Sequence, residues 1–343
     1  MQIDHIHFYV EDAVYWRNWC CQNLGFCSLA SYSYQHSQTE IVARGRVCFW
    51  FSAPRLSVGP VAVFLRSHPP GVVDVAVVVA DVQATVKRAI ALGSQPIQPS
   101  LGPYPSTAPC IPAWGTLRHT ILERPLYSLE ADPSFSLDHL VLNVPAGQLG
   151  QAVDWYQWVF DLIPQQKFTI STDYSGLFSQ VMGGAGVQLP INQPTSPSSQ
   201  IQEFLDHNHG AGIQHLALRV DNLTSLVARL RRRGVAFLPT VAGYYDRFYQ
   251  GVVKGITDLD AIAEQEILID CPTDQPGAIL LQIFTQPIFS QPTFFWEFIE
   301  RRRGARGFGE GNFQSLFNAM EAEQRQRQPS QPGNFLANDP SSS

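Results

Sequence analysis

The chain has 343 residues, enough for two or three domains or for one large barrel. Charged residues make up 15% of it and hydrophobic residues 45%, which excludes disorder over most of the chain, since disordered chains are rich in charge and poor in aromatic residues. The formal net charge of −6 argues against a nucleic-acid-binding protein, which usually carries a basic surplus.

The N-terminus, the apolar runs and the cysteines indicate where the protein works. Residues 1–5 lack the basic region and apolar stretch of a signal peptide, and the longest apolar runs, such as residues 75–80, are far shorter than the ~20 residues that span a bilayer. The six cysteines form no CxxC pair and are too sparse for a disulfide scaffold. We therefore expect a reduced, soluble protein of the cytoplasm, without a membrane or nucleic-acid partner.

Two short segments, one in each half of the chain, resemble each other. Residues 3–7 read Ile-Asp-His-Ile-His, and residues 137–141 read Leu-Asp-His-Leu-Val. Each is followed by an amphipathic stretch that contains tryptophan, residues 19–26 in the first case and residues 155–162 in the second. Internal similarity of this kind indicates a duplicated architecture.

A second element also occurs twice. Residues 71–77 (Gly-Val-Val-Asp-Val-Ala-Val) resemble residues 212–218 (Gly-Ile-Gln-His-Leu-Ala-Leu). The apolar runs within both segments have the length and the β-branched residues of strands. A further glycine follows at the same distance in both copies, since Gly71 to Gly93 and Gly212 to Gly234 both span 22 residues.

Helix signals lie between each strand and the second glycine. Asp81 and Asn222 are predicted N-cap residues. In the second copy, apolar residues then recur at i, i+3, i+4 and i+7, which makes one helical face apolar. These residues are Leu223, Leu226, Val227 and Leu230. The second glycine of each copy predicts a left-handed helix stop. Each unit is therefore strand, helix, glycine and further strands, and the four units begin near residues 1, 71, 135 and 211.

The four units group into two domains. We predict an N-terminal domain over residues 1–130, a C-terminal domain over residues 131–323, and a disordered tail over residues 324–343, which has no apolar period. Two proline-containing segments, residues 95–112 and residues 190–199, are predicted to be loops.

The candidate metal ligands lie in the second half of the chain. A lone histidine on a strand is more often structural than a ligand, but His139 and His215 occupy matching positions in duplicated units, and pseudo-symmetry would bring them together. Glu297 is the candidate third ligand, because a carboxylate among aromatic residues is costly to bury without a metal or another charged partner. Two histidines and one carboxylate form the facial triad of non-haem Fe(II) oxygenases. Glu300 is the competing choice for the third ligand, but the arginines that follow it favour a surface ion pair instead.

Two further patterns have simple interpretations. The arginine runs at residues 231–233 and 301–303 end predicted elements and are interpreted as solvated surface, where a helix C-terminus also favours arginine. Eight of the 21 phenylalanines lie within residues 284–317. We predict that they surround the candidate ligand Glu297 and a lid that covers it. They are Phe284, Phe289, Phe294, Phe295, Phe298, Phe308, Phe313 and Phe317.

Several ordered segments carry a family resemblance. They are residues 137–139 (LDH), 199–202 (SQIQ), 210–217 (GAGIQHLA), 243–245 (GYY), 280–285 (LLQIFT), 295–299 (FWEFI) and 307–313 (GFGEGNF). The sequence resembles the 4-hydroxyphenylpyruvate dioxygenase family of the vicinal-oxygen-chelate superfamily over most of its length, and most strongly over residues 131–320. The resemblance implies an α+β, vicinal-oxygen-chelate fold in which four βαβββ modules form two open-barrel domains, followed by a C-terminal helix.

The resemblance also implies an activity. His139, His215 and Glu297 would bind Fe(II), and 4-hydroxyphenylpyruvate and O2 would become homogentisate and CO2 by oxidative decarboxylation, ring hydroxylation and side-chain migration. One alternative is hydroxymandelate synthase, which hydroxylates the benzylic carbon of the same substrate, and another is a metal-free module that binds small molecules. A homo-oligomer, dimer or tetramer, is expected. The pathway served is either tyrosine breakdown or tocopherol or plastoquinone synthesis.

The residues that match the family's substrate pocket are polar or aromatic. The polar ones, Ser179, Asn192, Gln200, Gln214 and Gln282, would form a network near the iron, in which Gln282 and Gln200 act in catalysis. The aromatic ones are Phe284 and Phe313, which would sandwich the substrate ring, Phe308, which would close the pocket, and Phe295. Without the resemblance, each of these would be interpreted as strand polarity or core packing. The amphipathic segment 312–324 is a candidate lid.

The N-terminal half departs from this pattern. It keeps His5, but Asp74 replaces the second histidine, and either Thr120 or Glu123 takes the third position. We therefore expect a degenerate site there, with a structural or oligomeric role.

Overall fold

The computed structural model describes residues 1–98, 103–104, 108–172, 175–184, 186–250, 256–272 and 274–327. Among these residues the N-terminal half forms two modules. The first consists of β1 (Gln2–Tyr9), α1 (Ala13–Trp19) with a π-helical turn (Cys20–Leu24), β2 (Cys27–Ser33), β3 (Ser37–Arg44) and β4 (Val47–Pro54). Helix α2 (Pro60–Ser67) leads to the second, which consists of β5 (Gly71–Val78), α3 (Val82–Ala91), β6 (Cys110–Pro112) and β7 (Arg118–Leu122).

The C-terminal half repeats this arrangement. The third module consists of β8 (Phe135–Asn143), α4 (Leu149–Phe160), β9 (Ile163–Ser171), β10 (Gly176–Gly184) and β11 (Val187–Pro194). Helix α5 (Gln200–His207) leads to the fourth, with β12 (Gly212–Val220), α6 (Leu223–Arg232), α7 (Asp246–Tyr249), α8 (Leu259–Glu264), β13 (Leu268–Asp270), β14 (Ile279–Phe284) and β15 (Phe295–Arg302). A 3-10 turn (Glu310–Asn312) and α9 (Phe313–Arg327) end the described chain.

Two curled sheets form half-barrels, one from each half of the chain. The first has the strand order β2-β3-β4-β1-β5-β7-β6, and the second has the order β13-β14-β15-β12-β8-β11-β10-β9. The first strands of the modules begin at residues 2, 71, 135 and 212, which confirms the predicted repeat. In the second module, a bridge between Ile97 and Cys110 stands where the other modules have an additional strand.

The helix signals read from the sequence are present. The Asp81 carboxylate accepts a hydrogen bond from the Ala84 amide at 2.8 Å, and the Asn222 side chain accepts one from the Ser225 amide at 3.0 Å. Gly234, with φ of 84°, follows α6 as predicted. Every helix within the described ranges is too short or too polar to cross a membrane.

Some boundaries differ from the predictions. The tryptophan-containing stretches lie at the ends of helices α1 and α4, which begin earlier, at Ala13 and Leu149. The predicted loop at residues 190–199 is wrong in its first half, because β11 continues to Pro194. Helix α9 continues to Arg327, beyond the predicted domain end at 323. The rest of the predicted tail lies outside the described residues, and the domain boundaries stay predictions.

The aromatic residues of β15 face two different environments. Because side chains alternate along a strand, Phe295 and Glu297 face one side of the sheet, whereas Trp296 faces the other side, towards the N-terminal half. There, the ring centroid of Trp296 lies 6.0 Å from Phe8 and 5.4 Å from Phe49. The prediction that all eight clustered phenylalanines surround the metal site is therefore wrong for three of them. Phe289, Phe294 and Phe298 pack in the core instead.

Candidate metal centre

Three adjacent strands place the three candidate ligands on one face of the second sheet. Strand β12 lies between β8 and β15, and Ala217 of β12 pairs with His139 on one side and with Glu297 on the other. His215 lies two residues before Ala217 and therefore shares its face of the sheet. The strand register thus brings together residues that are 76 and 82 positions apart in sequence.

The ligand atoms of the three side chains are close together. Glu297 Oε2 lies 3.1 Å from His139 Nε2 and 3.6 Å from His215 Nε2, and one ligand atom from each residue lies within 4.8 Å of the others. All three side chains are buried. Among the described residues, this is the only group of three His, Cys, Asp or Glu that could hold a metal ion. Two imidazole nitrogens and one carboxylate oxygen suit a divalent transition metal and leave coordination positions open.

A buried ion pair orients His139. Its Nδ1–H donates to Asp138 Oδ1 at 2.9 Å, which turns Nε2 towards Glu297. Arg301 donates two hydrogen bonds of 2.7 Å to the Asp138 carboxylate. Burial opposes ionisation of Asp138, but the hydrogen bonds from Arg301 and His139 outweigh it and hold the pKa of this carboxyl well below its usual range. Asp138 is therefore a fixed negative charge behind the histidine, as is common at metal-bound imidazoles.

The two histidines differ in protonation. Burial lowers the pKa of His139, but the Glu297 charge and the Asp138 hydrogen bond outweigh burial and raise it to about 9. Burial and repulsion from His139 lower the pKa of His215 well below its ordinary value, so His215 is neutral. The His215 ring stacks on Phe295 at 4.6 Å, and its Nδ1 has no hydrogen-bond partner among the described residues. Without a metal, the imidazolium of His139 balances Glu297; a divalent cation would take the place of that proton.

Gln282 supports the carboxylate ligand. Its Nε2 donates to Glu297 Oε1 and to the Phe308 carbonyl, both at 2.9 Å. Its Oε1 accepts from Asn312 Nδ2 at 3.0 Å, and the Tyr244 hydroxyl donates to Asn312 Oδ1 at 2.7 Å. The sequence did not indicate that Asn312 and Tyr244 support Gln282, although both lie in segments that carry the family resemblance.

A cavity of about 700 Å³, counting its open mouth, lies over the three ligands. Every predicted site residue lines it, namely His139, Ser179, Asn192, Gln200, Gln214, His215, Gln282, Phe284, Phe295, Glu297, Phe308 and Phe313. The apolar wall also contains residues that the sequence did not indicate, namely Val141, Phe168, Ile170, Leu177, Pro190 and Ile201. Helix α9 contributes Leu316, Phe317 and Met320, which agrees with its predicted position as a lid.

Besides Gln282, four uncharged polar residues line the cavity, and they come from four elements. Ser179 of β10 and Asn192 of β11 pair directly across the two strands. Gln214 lies at a register shift in β12 between Ile213 and His215, and this bulge lets Gln214 and His215 both line the cavity. Gln200 begins α5, and its buried Nε2 has no hydrogen-bond partner among the described residues. This amide is thus available to donate to a ligand.

Aromatic rings close the cavity above the ligands. The Phe308 ring lies 5.3 Å from the His139 ring, in an edge-on arrangement. Phe168 lies 4.9 Å from Phe313, also edge-on. Phe284 lies 6.5 Å from His215. The walls therefore offer flat apolar faces to an aromatic ligand, with the metal ligands at one end.

The corresponding place in the N-terminal half is filled by protein. Ala76 pairs with His5 as Ala217 pairs with His139, and Thr120 occupies the position of Glu297 and donates to the Asp74 carboxylate. His5 Nε2 lies 2.8 Å from the Tyr104 hydroxyl. The His5 ring also stacks on Trp50 with centroids 3.7 Å apart.

Glu300 and its arginine neighbours are less exposed than predicted. Glu300 pairs with Arg302 at 2.6 Å, as expected, but it is buried and also accepts a hydrogen bond from the Leu223 amide at 2.8 Å. The side chain of Arg301 is only 10% exposed because it pairs with Asp138. The interpretation of this run as solvated surface is therefore wrong for Arg301.

Comparisons with known proteins agree with this geometry. A family model described as the Glyoxalase/Bleomycin resistance protein/Dioxygenase superfamily matches residues 138–249. An uncharacterised protein of Synechocystis sp. is 39% identical, over 95% of this chain and 99% of its own length. The 4-hydroxyphenylpyruvate dioxygenase of Dictyostelium discoideum is 32% identical, over 94% of this chain and 98% of its own, and that of Sus scrofa is 30% identical, over 98% and 94%.

Among solved structures, a triple mutant of 4-hydroxymandelate synthase from Streptomyces coelicolor superimposes with a TM-score of 0.82. The two sequences are 27% identical, and the match covers 94% of this chain and 99% of that one.

Proposed function

Because the chain belongs to the 4-hydroxyphenylpyruvate dioxygenase family, we propose that it uses Fe(II) and O2 to convert 4-hydroxyphenylpyruvate to homogentisate and CO2. The observation that carries the proposal is the buried group of His139, His215 and Glu297 at one end of a cavity with phenylalanine walls. The substrate suits both parts of this site. Its 2-oxo acid would lie at the three ligands, and its aromatic ring would lie between the apolar walls.

The three ligands fit a divalent iron ion by their chemistry. Histidine nitrogens and a carboxylate oxygen form the donor set found at non-haem Fe(II) centres. When bound, the metal would supply the activation of O2 and the coordination of the 2-oxo acid. The protein's own contribution is to hold the ligands, orient the substrate and exclude water.

Each wall of the cavity has a role in orienting the substrate. Phe284 and Phe313 hold the aromatic ring, and this fixes which ring carbon faces the ligands. The Nε2 of Gln200, which has no partner among the described residues, donates a hydrogen bond to an oxygen of the substrate. Gln282 holds Glu297 in one orientation, so that its second oxygen faces the histidines. Leu316, Phe317 and Met320 of α9 cover the bound ring and keep water from the reacting end.

The test is a reaction started with O2. The metal-free protein is loaded with Fe(II) without oxygen, mixed with 4-hydroxyphenylpyruvate and then exposed to O2, and the products are identified by chromatography and mass spectrometry. The proposal predicts homogentisate and one CO2 for each O2 consumed. Absence of metal uptake and of O2 consumption would instead indicate a metal-free binding protein.

Hydroxymandelate synthase is the second candidate, and the structural match to that enzyme favours it. Both reactions use the same substrate and differ in the carbon that is hydroxylated. The same assay separates them, because this candidate gives 4-hydroxymandelate. The curated relatives at 30–33% identity are 4-hydroxyphenylpyruvate dioxygenases, so homogentisate is the product we propose.

A further inference from the structure

One turn of the chain touches the supports of two metal ligands. The turn, residues 303–312, connects β15 to α9 and is called the lid turn below. On one side of it, Arg301 Nη1 donates to the carbonyl oxygens of Gly307 at 2.9 Å and Ala305 at 3.2 Å. The same guanidinium binds Asp138 through Nε and Nη2, and Asp138 in turn holds His139. Arg301 thus joins the lid turn to one histidine ligand.

The second contact runs to the carboxylate ligand. Gln282 accepts from Asn312 at the end of the lid turn, donates to the Phe308 carbonyl within it, and donates to Glu297. Asp270 also fixes the lid turn by accepting from the Gly311 amide at 3.2 Å. Two separate sets of hydrogen bonds therefore link one turn to His139 and to Glu297.

We propose that Arg301 is a positioning residue that makes the orientation of His139 depend on the order of the lid turn. A planar guanidinium can bind a carboxylate with two donors while its remaining donor bonds to carbonyl oxygens, and a lysine ammonium cannot reproduce this planar geometry. When the lid turn is ordered, Asp138 is fixed and His139 presents Nε2 to the metal. When the turn loosens, Arg301 loses two acceptors and the histidine loses its fixed support.

The coupling acts in both directions, because linkage between two sites is reciprocal. Metal binding at His139 and Glu297 therefore orders the lid turn and, with it, the start of α9. The inference rests on the proposed function only in that the natural metal is Fe(II); its test uses Co(II) and needs no turnover.

The test compares two neighbouring arginines. Arg301 and Arg302 each bind an aspartate with two hydrogen bonds of about the same length, but Arg302 binds Asp258, away from the metal ligands. Arg301→Gln and Arg302→Gln therefore both remove a bidentate ion pair, and only the first removes support from His139. Co(II) is titrated into each metal-free protein and followed by its visible d–d absorption.

We expect Arg301→Gln to weaken Co(II) binding by about 10–100-fold and to change the d–d spectrum. Arg302→Gln should keep the wild-type Co(II) affinity and spectrum, whatever its effect on thermal stability. Arg301→Lys should give an intermediate affinity, because it keeps the charge without the planar geometry. If Arg301→Gln does not fold, Arg301→Lys carries the test, and wild-type Co(II) affinity and spectrum in that variant would overturn the proposal.

Trypsin measures the coupling to the lid turn, because Arg306 lies within it and is exposed. Co(II) should slow cleavage after Arg306 in the wild type and in Arg302→Gln, and should slow it much less in Arg301→Lys. Wild-type Co(II) affinity in folded Arg301→Gln would overturn the proposal. So would equal losses in Arg301→Gln and Arg302→Gln, or equal protection by Co(II) in all variants.

Discussion

At the scale of single residues, two histidines with the same local sequence have different surroundings. His5 and His139 both follow an aspartate, which lies within hydrogen-bond distance of Nδ1 in each case. The Nε2 of His139 faces Glu297, whereas that of His5 faces the Tyr104 hydroxyl. The pair therefore provides a matched test of the metal centre.

We expect His139→Gln to abolish stoichiometric Fe(II) binding and to lower activity by more than about 100-fold, because it removes one of the three ligands. His5→Gln should keep one Fe(II) per chain and substantial activity, and should lower stability by about 1–3 kcal/mol through its lost buried contacts. Metal analysis and urea denaturation of the two variants measure these effects. Loss of iron from His5→Gln but not from His139→Gln would place the metal in the N-terminal half and contradict this assignment.

The sequence sufficed to predict the polar residues that line the cavity and its aromatic residues except Phe168. It did not indicate Val141, Ile170 or Leu177, because an apolar residue on a buried strand has the same pattern whether it lines a cavity or a core. Nor did it indicate that Tyr244 and Asn312 support Gln282. Tyr244 precedes Asn312 by 68 residues, and Gln282 precedes it by 30. These contacts therefore depend on tertiary packing rather than on local periodicity.

At the scale of elements, strand β12 shows why periodicity alone fails at this site. Strict alternation would place Gln214 and His215 on opposite faces. The register shift between Ile213 and His215 adds a residue, and both side chains line the cavity as a result. Similarity to a known family identified Gln214, whereas His215 was identified from its matching position in the duplicated units.

The lid turn offers a second matched pair. Gly309 and Gly304 both have positive φ, 77° and 72°. A Cβ at Gly309 would collide with the Gln282 amide, whereas a Cβ at Gly304 meets nothing within 4 Å. Both alanine variants bear the cost of left-handed backbone, about 1–2 kcal/mol.

We therefore expect Gly309→Ala to lower the turnover number by about 10–100-fold, since it displaces the residue that holds Glu297. Gly304→Ala should be destabilised by the same backbone cost as Gly309→Ala and should keep its activity. Steady-state kinetics and thermal unfolding of both variants measure the difference. Equal turnover numbers would show that Gln282 does not need its observed position.

At the scale of the whole molecule, the two halves share one hydrophobic core. Phe8 of β1 contacts Phe294 at 5.3 Å, and Trp16 of α1 contacts Phe289 at 5.1 Å. His119 of β7 lies 3.0 Å from the Tyr156 hydroxyl of α4. The N-terminal half has no comparable metal group among its described residues, but it covers the reverse face of the sheet that carries the ligands.

Residues 131–343 produced alone should therefore not form a stable domain, although they contain all three ligands. Removal of the N-terminal half would expose Phe294, Trp296 and their neighbours to water, and exposed apolar patches of this kind cause aggregation. Gel filtration, circular dichroism and Fe(II) analysis against the full chain measure the outcome. A monomeric fragment that unfolds cooperatively and binds iron would contradict this account of the core.

Buried histidines should make the metal-free protein sensitive to acid. Burial lowers the pKa of His119, and burial together with His5 and Arg118 lowers that of His7 well below its ordinary value. The unfolded chain, with histidine pKa values near 6.5, then binds more protons than the folded one, so the free energy of unfolding falls as pH falls below about 6.5. Urea denaturation at several pH values measures this slope, and His119→Gln should reduce it. An unchanged slope in His119→Gln would show that His119 does not contribute to the acid sensitivity.

The proposed dioxygenase reaction is tested most directly in ¹⁸O₂, with the Fe(II)-loaded protein and 4-hydroxyphenylpyruvate. A dioxygenase places both atoms of O2 in its product. We expect homogentisate with two ¹⁸O atoms from the wild type and from His5→Gln, but not from His139→Gln. Unlabelled product, or labelled product from His139→Gln, would contradict it.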